Sequence, residues 1–198
     1  MRKIYSLFAF AFLFASCGES HVKKVLIYAN NNASFNQDAK AISLTGDTTG
    51  YEHAAFEYLG SEPVQIKVVK GDDLKTVDIP DDGYYIVNFK KDTIIGSYIP
   101  FNDIAKVNST ISQDELKHTI DSIQQLMMGK NIGGANKTYF IVPGATEKIT
   151  SNANAIVVEP YHKVTALEVK EGEKPEVYKF YTMSELREKV ERMISLTK

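Results

Sequence analysis

The sequence predicts an α+β fold: a mostly antiparallel sheet of about six to eight strands with two main helices packed on it. Three observations carry this. Short β-rich runs flank turn residues, as Tyr84–Phe89 and Thr93–Ile99 flank Lys90-Lys91-Asp92. Two longer segments repeat apolar residues at helical spacing behind capping signals. The aromatic residues are almost evenly Tyr (11) and Phe (10) with no Trp, a composition that suits strands.

The elements follow in chain order. Val22–Ala29 reads as a strand with a buried run at Val25-Leu26-Ile27-Tyr28. Asn30-Asn31-Asn32 ends it, and 30–38 reads as a polar loop. Ala39–Leu44 is a short strand, closed by the turn cluster at 46–50. In Tyr51–Leu59 the alanine pair and the Ala55–Leu59 spacing predict a short helix, stopped by Gly60. Val64–Val69 alternates Val64, Ile66 and Val68 with polar residues, a half-buried strand. Gly71-Asp72-Asp73 and Pro80-Asp81-Asp82-Gly83 bracket an acidic loop. Tyr84–Phe89 and Thr93–Ile99 form the best hairpin, and Phe101–Val107 leads onward.

The strongest helix is Gln113–Met128. Ser112 and Glu115 make a capping box, and Leu116, Ile120, Ile123 and Met127 form one apolar stripe. Thr138–Val142, Ala155–Val158 and Val164–Val169 are strands; the last forms a second hairpin with Val177–Tyr181. Met183–Leu196 is the final helix. Thr182 and Glu185 predict a second capping box, and Leu186, Val190, Met193 and Ile194 its apolar face.

The start of the chain is of another kind. Arg2 and Lys3 precede an uncharged stretch, Ile4–Phe14, then Ala15-Ser16-Cys17-Gly18. A charged start, a short apolar core and small residues form a secretory signal layout. Eleven residues fall short of the roughly 20 that span a bilayer. The segment Phe14-Ala15-Ser16-Cys17 resembles a bacterial lipobox, with Phe14 where that pattern prefers Leu. The resemblance covers about twenty residues. It implies cleavage before Cys17 and acylation of Cys17 by fatty chains such as palmitate. Cys17 is the only cysteine, so an intramolecular disulfide is excluded. The expected organisation is a signal peptide at 1–16, a lipidated tether at 17–21 and a single globular domain at 22–198. Four residues after Cys17 reach at most roughly 14 Å, which keeps the body close to the lipid headgroups. Gly18 stands where enteric lipoproteins retained at the inner membrane carry Asp, which points to the outer membrane.

Charge excludes some partners. Without Arg2 and Lys3 the chain has 21 basic against 25 acidic residues. Nucleic acid demands a basic face, so it is not expected as a partner. No catalytic, metal or cofactor motif is legible. The four histidines lie far apart in sequence, and none stands in a nucleophile elbow. His53 and Glu57 would share one helical turn and half a metal site if their segment were helical. His118 falls off its helix's apolar stripe, and His162 falls in a turn. The pairs Asp72-Asp73 and Asp81-Asp82 offer carboxylates to Ca²⁺ but lack the loop spacing that a calcium site needs. Asp47-Thr48-Thr49, Asp92-Thr93-Ile94 and Asp121-Ser122-Ile123 resemble the O-glycosylation signal of exported Bacteroidota proteins.

The functional expectation is a membrane-anchored envelope lipoprotein that binds a protein partner or a ligand without catalysis. Tyr84, Tyr85, Tyr98 and the segment Tyr178–Tyr181 are candidate contact surfaces, because exposed Tyr anchors interfaces. The alternative for all of them is a place in the core. Two other functions fit the same address: an immunity lipoprotein that neutralises an envelope-targeting toxin, and an envelope hydrolase.

Overall fold

Five consecutive buried residues, Val25 to Ala29, close the first strand. A strand buried on successive residues is covered on both faces, which places it in the middle of a stack. The computed structural model describes residues 21–29, 33–45, 52–100, 112–162 and 175–197. The signal and Cys17, the 46–50 turn with its Asp47 triplet, Phe101–Val107 and the strand Val164–Val169 lie outside them.

Among the described residues there are twelve strands and two α-helices. The strands are β1 (Val22–Ala29), β2 (Ala33–Asn36), β3 (Ala41–Leu44), β4 (Glu52–Leu59), β5 (Val64–Lys70) and β6 (Asp73–Ile79), then β7 (Gly83–Asn88), β8 (Ile94–Ile99), β9 (Thr138–Ile141), β10 (Thr146–Thr150), β11 (Ile156–Val158) and β12 (Val177–Thr182). The helices are α1 (Gln113–Met127) and α2 (Met183–Ser195). The α+β class holds. The single, mostly antiparallel sheet does not: the strands form three mixed sheets of four, ordered β10-β7-β1-β4, β2-β3-β5-β6 and β11-β12-β8-β9. Each contains one parallel pair, β1 with β7, β3 with β5, and β11 with β12.

Alternation along β1 explains the stacking. Val25 and Ile27 join a core with Ile42 of β3, Val64, Ile66 and Val68 of β5, and Val77 and Ile79 of β6. Leu26 and Tyr28 point the other way, into a core with Ile94, Tyr139, Ile141, Tyr178 and Phe180. The β1 sheet is therefore the central layer of three. The α1 capping box forms as expected, with Glu115 N–H donating to Ser112 Oγ and Ser112 N–H to the Glu115 carboxylate. On α2 only half of the box forms. Thr182 Oγ1 accepts from Glu185 N–H, but the Glu185 carboxylate accepts from Tyr161 N–H instead. The helices pack on each other. Lys189 of α2 reaches the Tyr181 ring on the outer side of the third sheet. Leu186 and Val190 are buried, while Ile194 is exposed.

Four local expectations are corrected. Tyr51–Leu59 is not a helix, because 52–59 pairs along its whole length with β1. The 30–38 loop contains β2, and the acidic loop contains β6. Tyr84–Phe89 and Thr93–Ile99 are strands but no hairpin. β7 pairs with β1 and β10, whereas β8 pairs with β12 and β9 in another sheet. β12, in turn, lies between β11 and β8.

Glu176 ties the third sheet to the central one. Its carboxylate accepts from Tyr178 Oη at 2.7 Å, Lys137 Nζ at 2.9 Å and Thr150 Oγ1 at 2.9 Å. Burial pushes this carboxyl up, but the three hydrogen bonds outweigh it and hold the pKa at about 2. The folded pKa lies below the ordinary value, so this stabilisation is complete above about pH 4.5 and is lost as pH falls towards 2. With a fifth of the side chain exposed, screening leaves about 1–2 kcal/mol of it. Glu176→Gln should lower stability by that amount at pH 7 and flatten the acid limb of a denaturation series. An unchanged acid limb would refute the assignment.

Candidate functional site

The inward face of the second sheet changes character along its length. On β5 that face carries Val64, Ile66 and Val68, and the same two-residue period places Lys70 next. The β6 register sets Ile79, Val77, Lys75 and Asp73 opposite Val64, Ile66, Val68 and Lys70. β3 adds Ile42 and Leu44 beside Val68 and Lys70. The apolar rows therefore end in a charged one, on the side that faces the central sheet.

From the central sheet, the chain leaves β7 in a sharp turn at 89–91. Asn88 holds it. Its Nδ2 donates to Asp92 O and to Ile141 O, both at 2.9 Å, and its Oδ1 accepts from Lys90 N–H at 2.9 Å. Gly144 N–H donates to Asn88 O, which brings the Pro143-Gly144 turn alongside. Between the two sheets lies a cleft of about 340 Å³. Val68, Leu44 and Phe89 give it an apolar floor, and Lys70, Lys75, Lys90 and Lys91 line it with one carboxylate, Asp73. Lys90 is 8% exposed, and burial pulls its ammonium pKa down against the opposing pull of Asp92.

A second cluster surrounds the turn at 160. His53 Nδ1 lies 3.3 Å from Glu159 Oε2, and the His53 and His162 rings meet edge to face with centroids 6.4 Å apart. His162 Nδ1 contacts Pro160 O at 3.0 Å. Lys179 Nζ donates to Glu159 O at 2.6 Å. Burial brings the Lys179 ammonium down to about 8, although Glu185 and Glu159 oppose this. Among the described residues, no three His, Cys, Asp or Glu converge in a way that could hold a metal ion. Neither His53 nor His162 lines the cleft, nor a second cavity beside Ala55, Tyr84 and Ala155, nor a third beside His21, Pro80 and Lys148.

The residues singled out by sequence fall as follows. His53 and Glu57 lie on one strand, roughly 13 Å apart along it, and do not share a ligand. His118 is exposed on α1 and His162 in its turn, as expected. Asp82 accepts from Lys23 Nζ at 3.1 Å and meets His21 Nδ1 at 2.5 Å. These bonds, His21 first, hold its carboxyl below the usual range. Tyr85 is buried in the core between the central and second sheets and Tyr178 in the core on the other side of the central sheet, and Tyr84 and Tyr98 pack half-buried against the latter, so these rings form no exposed patch. In the second triplet the Asp92 carboxylate accepts from Ser184 N–H and Oγ–H, while Ser122 of the third is exposed. Sequence reasoning missed the cleft. Its one signal was the step from Val64, Ile66 and Val68 to Lys70 at constant period.

No protein-family model, curated protein or solved structure matches the chain.

Proposed function

We propose that this chain is a lipid-anchored binding module of the bacterial envelope, held through Cys17 and presenting the lysine-lined cleft away from the bilayer. The observation that carries this reading is the direction of β1. Val22, five positions after Cys17, opens the strand, and Ala29 closes it at the end nearer the cleft, roughly 23 Å further on. The 89–91 turn continues from that same end, since Phe89 N–H donates to Tyr28 O. Among the described residues, no helix is long and apolar enough to cross a membrane. Anchoring then depends on acyl chains, each buried methylene contributing about 0.8 kcal/mol. Gly18 supports placement at the outer membrane, and a protein partner in the envelope remains part of the reading.

A Cys17→Ser chain expressed in a bacterial host should keep its signal peptide and take up no labelled palmitate, whereas the natural chain should be cleaved and labelled. Equal processing and equal labelling would refute the reading.

The hydrolase alternative draws on one observation, the His53–Glu159 contact. A general base needs a recess that admits substrate or water. The cavities described here have other linings, so the binding reading is preferred.

A further inference from the structure

We infer that Leu59 enters the surface of the bilayer on which the chain is anchored, so that the body rests on lipid through one fixed end. The inference rests on the anchoring reading above and adds the side chain that meets the membrane.

Four observations carry it. First, the register sets Leu59, the last residue of β4, directly across from Val22, the first of β1. Opposed residues stand about 5 Å apart, so Leu59 lies as near the anchor as the start of the strand does. Second, the body end of the tether is clamped. Gly60 N–H donates to His21 O at 3.0 Å, and the buried Lys23 donates through Nζ to Gly60 O at 2.7 Å. The His21 ring meets the Asp82 carboxylate, which also accepts from Lys23. Freedom is therefore left only to the stretch before His21, which reaches at most roughly 14 Å from Cys17. The same bonds hold the turn that follows Leu59, so this leucine cannot swing away from the tether exit. Third, Leu59 is 77% exposed, more than any other large apolar side chain among the described residues. A single exposed leucine is ordinary in itself. This one stands where the chain leaves for its anchor. Fourth, the next row on its face is charged, with Lys24 Nζ 3.8 Å from the Glu57 carboxylate. Glu62 and Asp81, in the turns at the same end, are exposed acids. The contact is therefore apolar, one residue row deep, and independent of anionic lipid.

The test uses the full acylated chain, purified in nonionic detergent and reconstituted in phosphatidylcholine vesicles. With the Cys17 sulfur acylated, Leu59→Cys supplies the thiol for a nitrobenzoxadiazole label. Leu74→Cys is the control. Leu74 is 65% exposed, so without lipid the two labels would be quenched alike, but it lies five residues from Ile79 along β6, roughly 17 Å from the anchored end. With iodide on both faces of the membrane, quenching at Leu59→Cys should be about tenfold weaker than at Leu74→Cys, the preference for burial that one leucine supplies. Lipid carrying a nitroxide near its headgroup should quench the first label and spare the second. Added salt should change neither result.

Equal iodide quenching at the two sites would overturn the inference. So would equal protection, which would mean that the dye itself draws the body onto lipid, or nitroxide quenching that salt abolishes, which would mean ionic attraction. Mass spectrometry of the same preparation separates this contact from the anchor. An acylated chain with a freely quenched Leu59→Cys label removes the contact and leaves the anchor; an unacylated Cys17 removes both.

Discussion

Gly96→Ala should destabilise this protein by about 3 kcal/mol, a large effect for one added methyl. Gly96 sits on β8 directly across from Phe180 on β12. Phe180 is fully buried, and its ring lies over the glycine: a Cβ at 96 would fall 2.2 Å from Cδ1 and 2.6 Å from Cγ. The second distance decides the matter, because Cγ cannot swing away without moving the whole side chain. Tyr139 packs on the same ring with centroids 6.2 Å apart, which limits where it can go. Alanine at this site gains only about 0.4–1 kcal/mol from a less flexible unfolded chain, and the overlap outweighs that. Phe180→Ala alone should also cost stability, since it removes a packed ring. Combined with Gly96→Ala it should recover about 1–2 kcal/mol of the summed losses, because a side chain without Cγ relieves the clash. Urea midpoints at unchanged slope give both numbers. An alanine variant as stable as the parent would show that the ring does not rest on Gly96.

What the sequence disclosed, and what it hid, follows from where each element's partners lie. Both helices were legible because their signals are local. Ser112 with Glu115, and Thr182 with Glu185, sit three residues apart, and the apolar stripes need only 3.6 residues per turn. β1 was legible as a buried run for a similar reason. Tyr51–Leu59 was misread because alanine favours helices, yet its period of two was present. Ala54, Phe56 and Tyr58 face the core, while His53, Ala55, Glu57 and Leu59 face out. Pairing with β1 settled it, and tertiary pairing overrides weak local preference.

The hairpin at Tyr84–Ile99 failed differently. Both strands were right, and the short loop between them suited a hairpin. However, Tyr85 and Val87 are buried on one face of β7 and Ile86 on the other. A strand covered on both faces belongs in the interior of a stack, and β7 takes β1 and β10 as neighbours there. The chain then crosses to the third sheet instead of doubling back. β6 and β10 were hidden because they lie at sheet edges with many polar residues, where little apolar signal is required. The cleft was hidden most fully. Its four lysines come from two sheets, and only the stacking of those sheets brings them together.

Asn88 is where fold and cleft meet, and replacing it should have the second large effect. The residue is fully buried, and its amide satisfies Lys90 N–H, Asp92 O and Ile141 O at once. Asn88→Ala leaves a buried N–H and two carbonyls to find other partners, at a cost of about 3 kcal/mol. Asn88→Asp should be worse at neutral pH. A carboxylate keeps the acceptor for Lys90 N–H but presents oxygen to two carbonyl oxygens. Burial raises the pKa of such a carboxyl, and the protonated form regains one donor, so this variant should become more stable as pH falls through that raised pKa. A variant with an unshifted pH dependence would refute the donor assignment. The same bonds position Lys90 and Lys91. Asn88→Ala should therefore also speed amide hydrogen exchange at Lys90, whose N–H it holds, whereas Gly96→Ala, with a similar loss of stability, should not. If both variants sped exchange there equally under conditions where each is fully folded, the Asn88 amide would not be the group that holds the 89–91 turn.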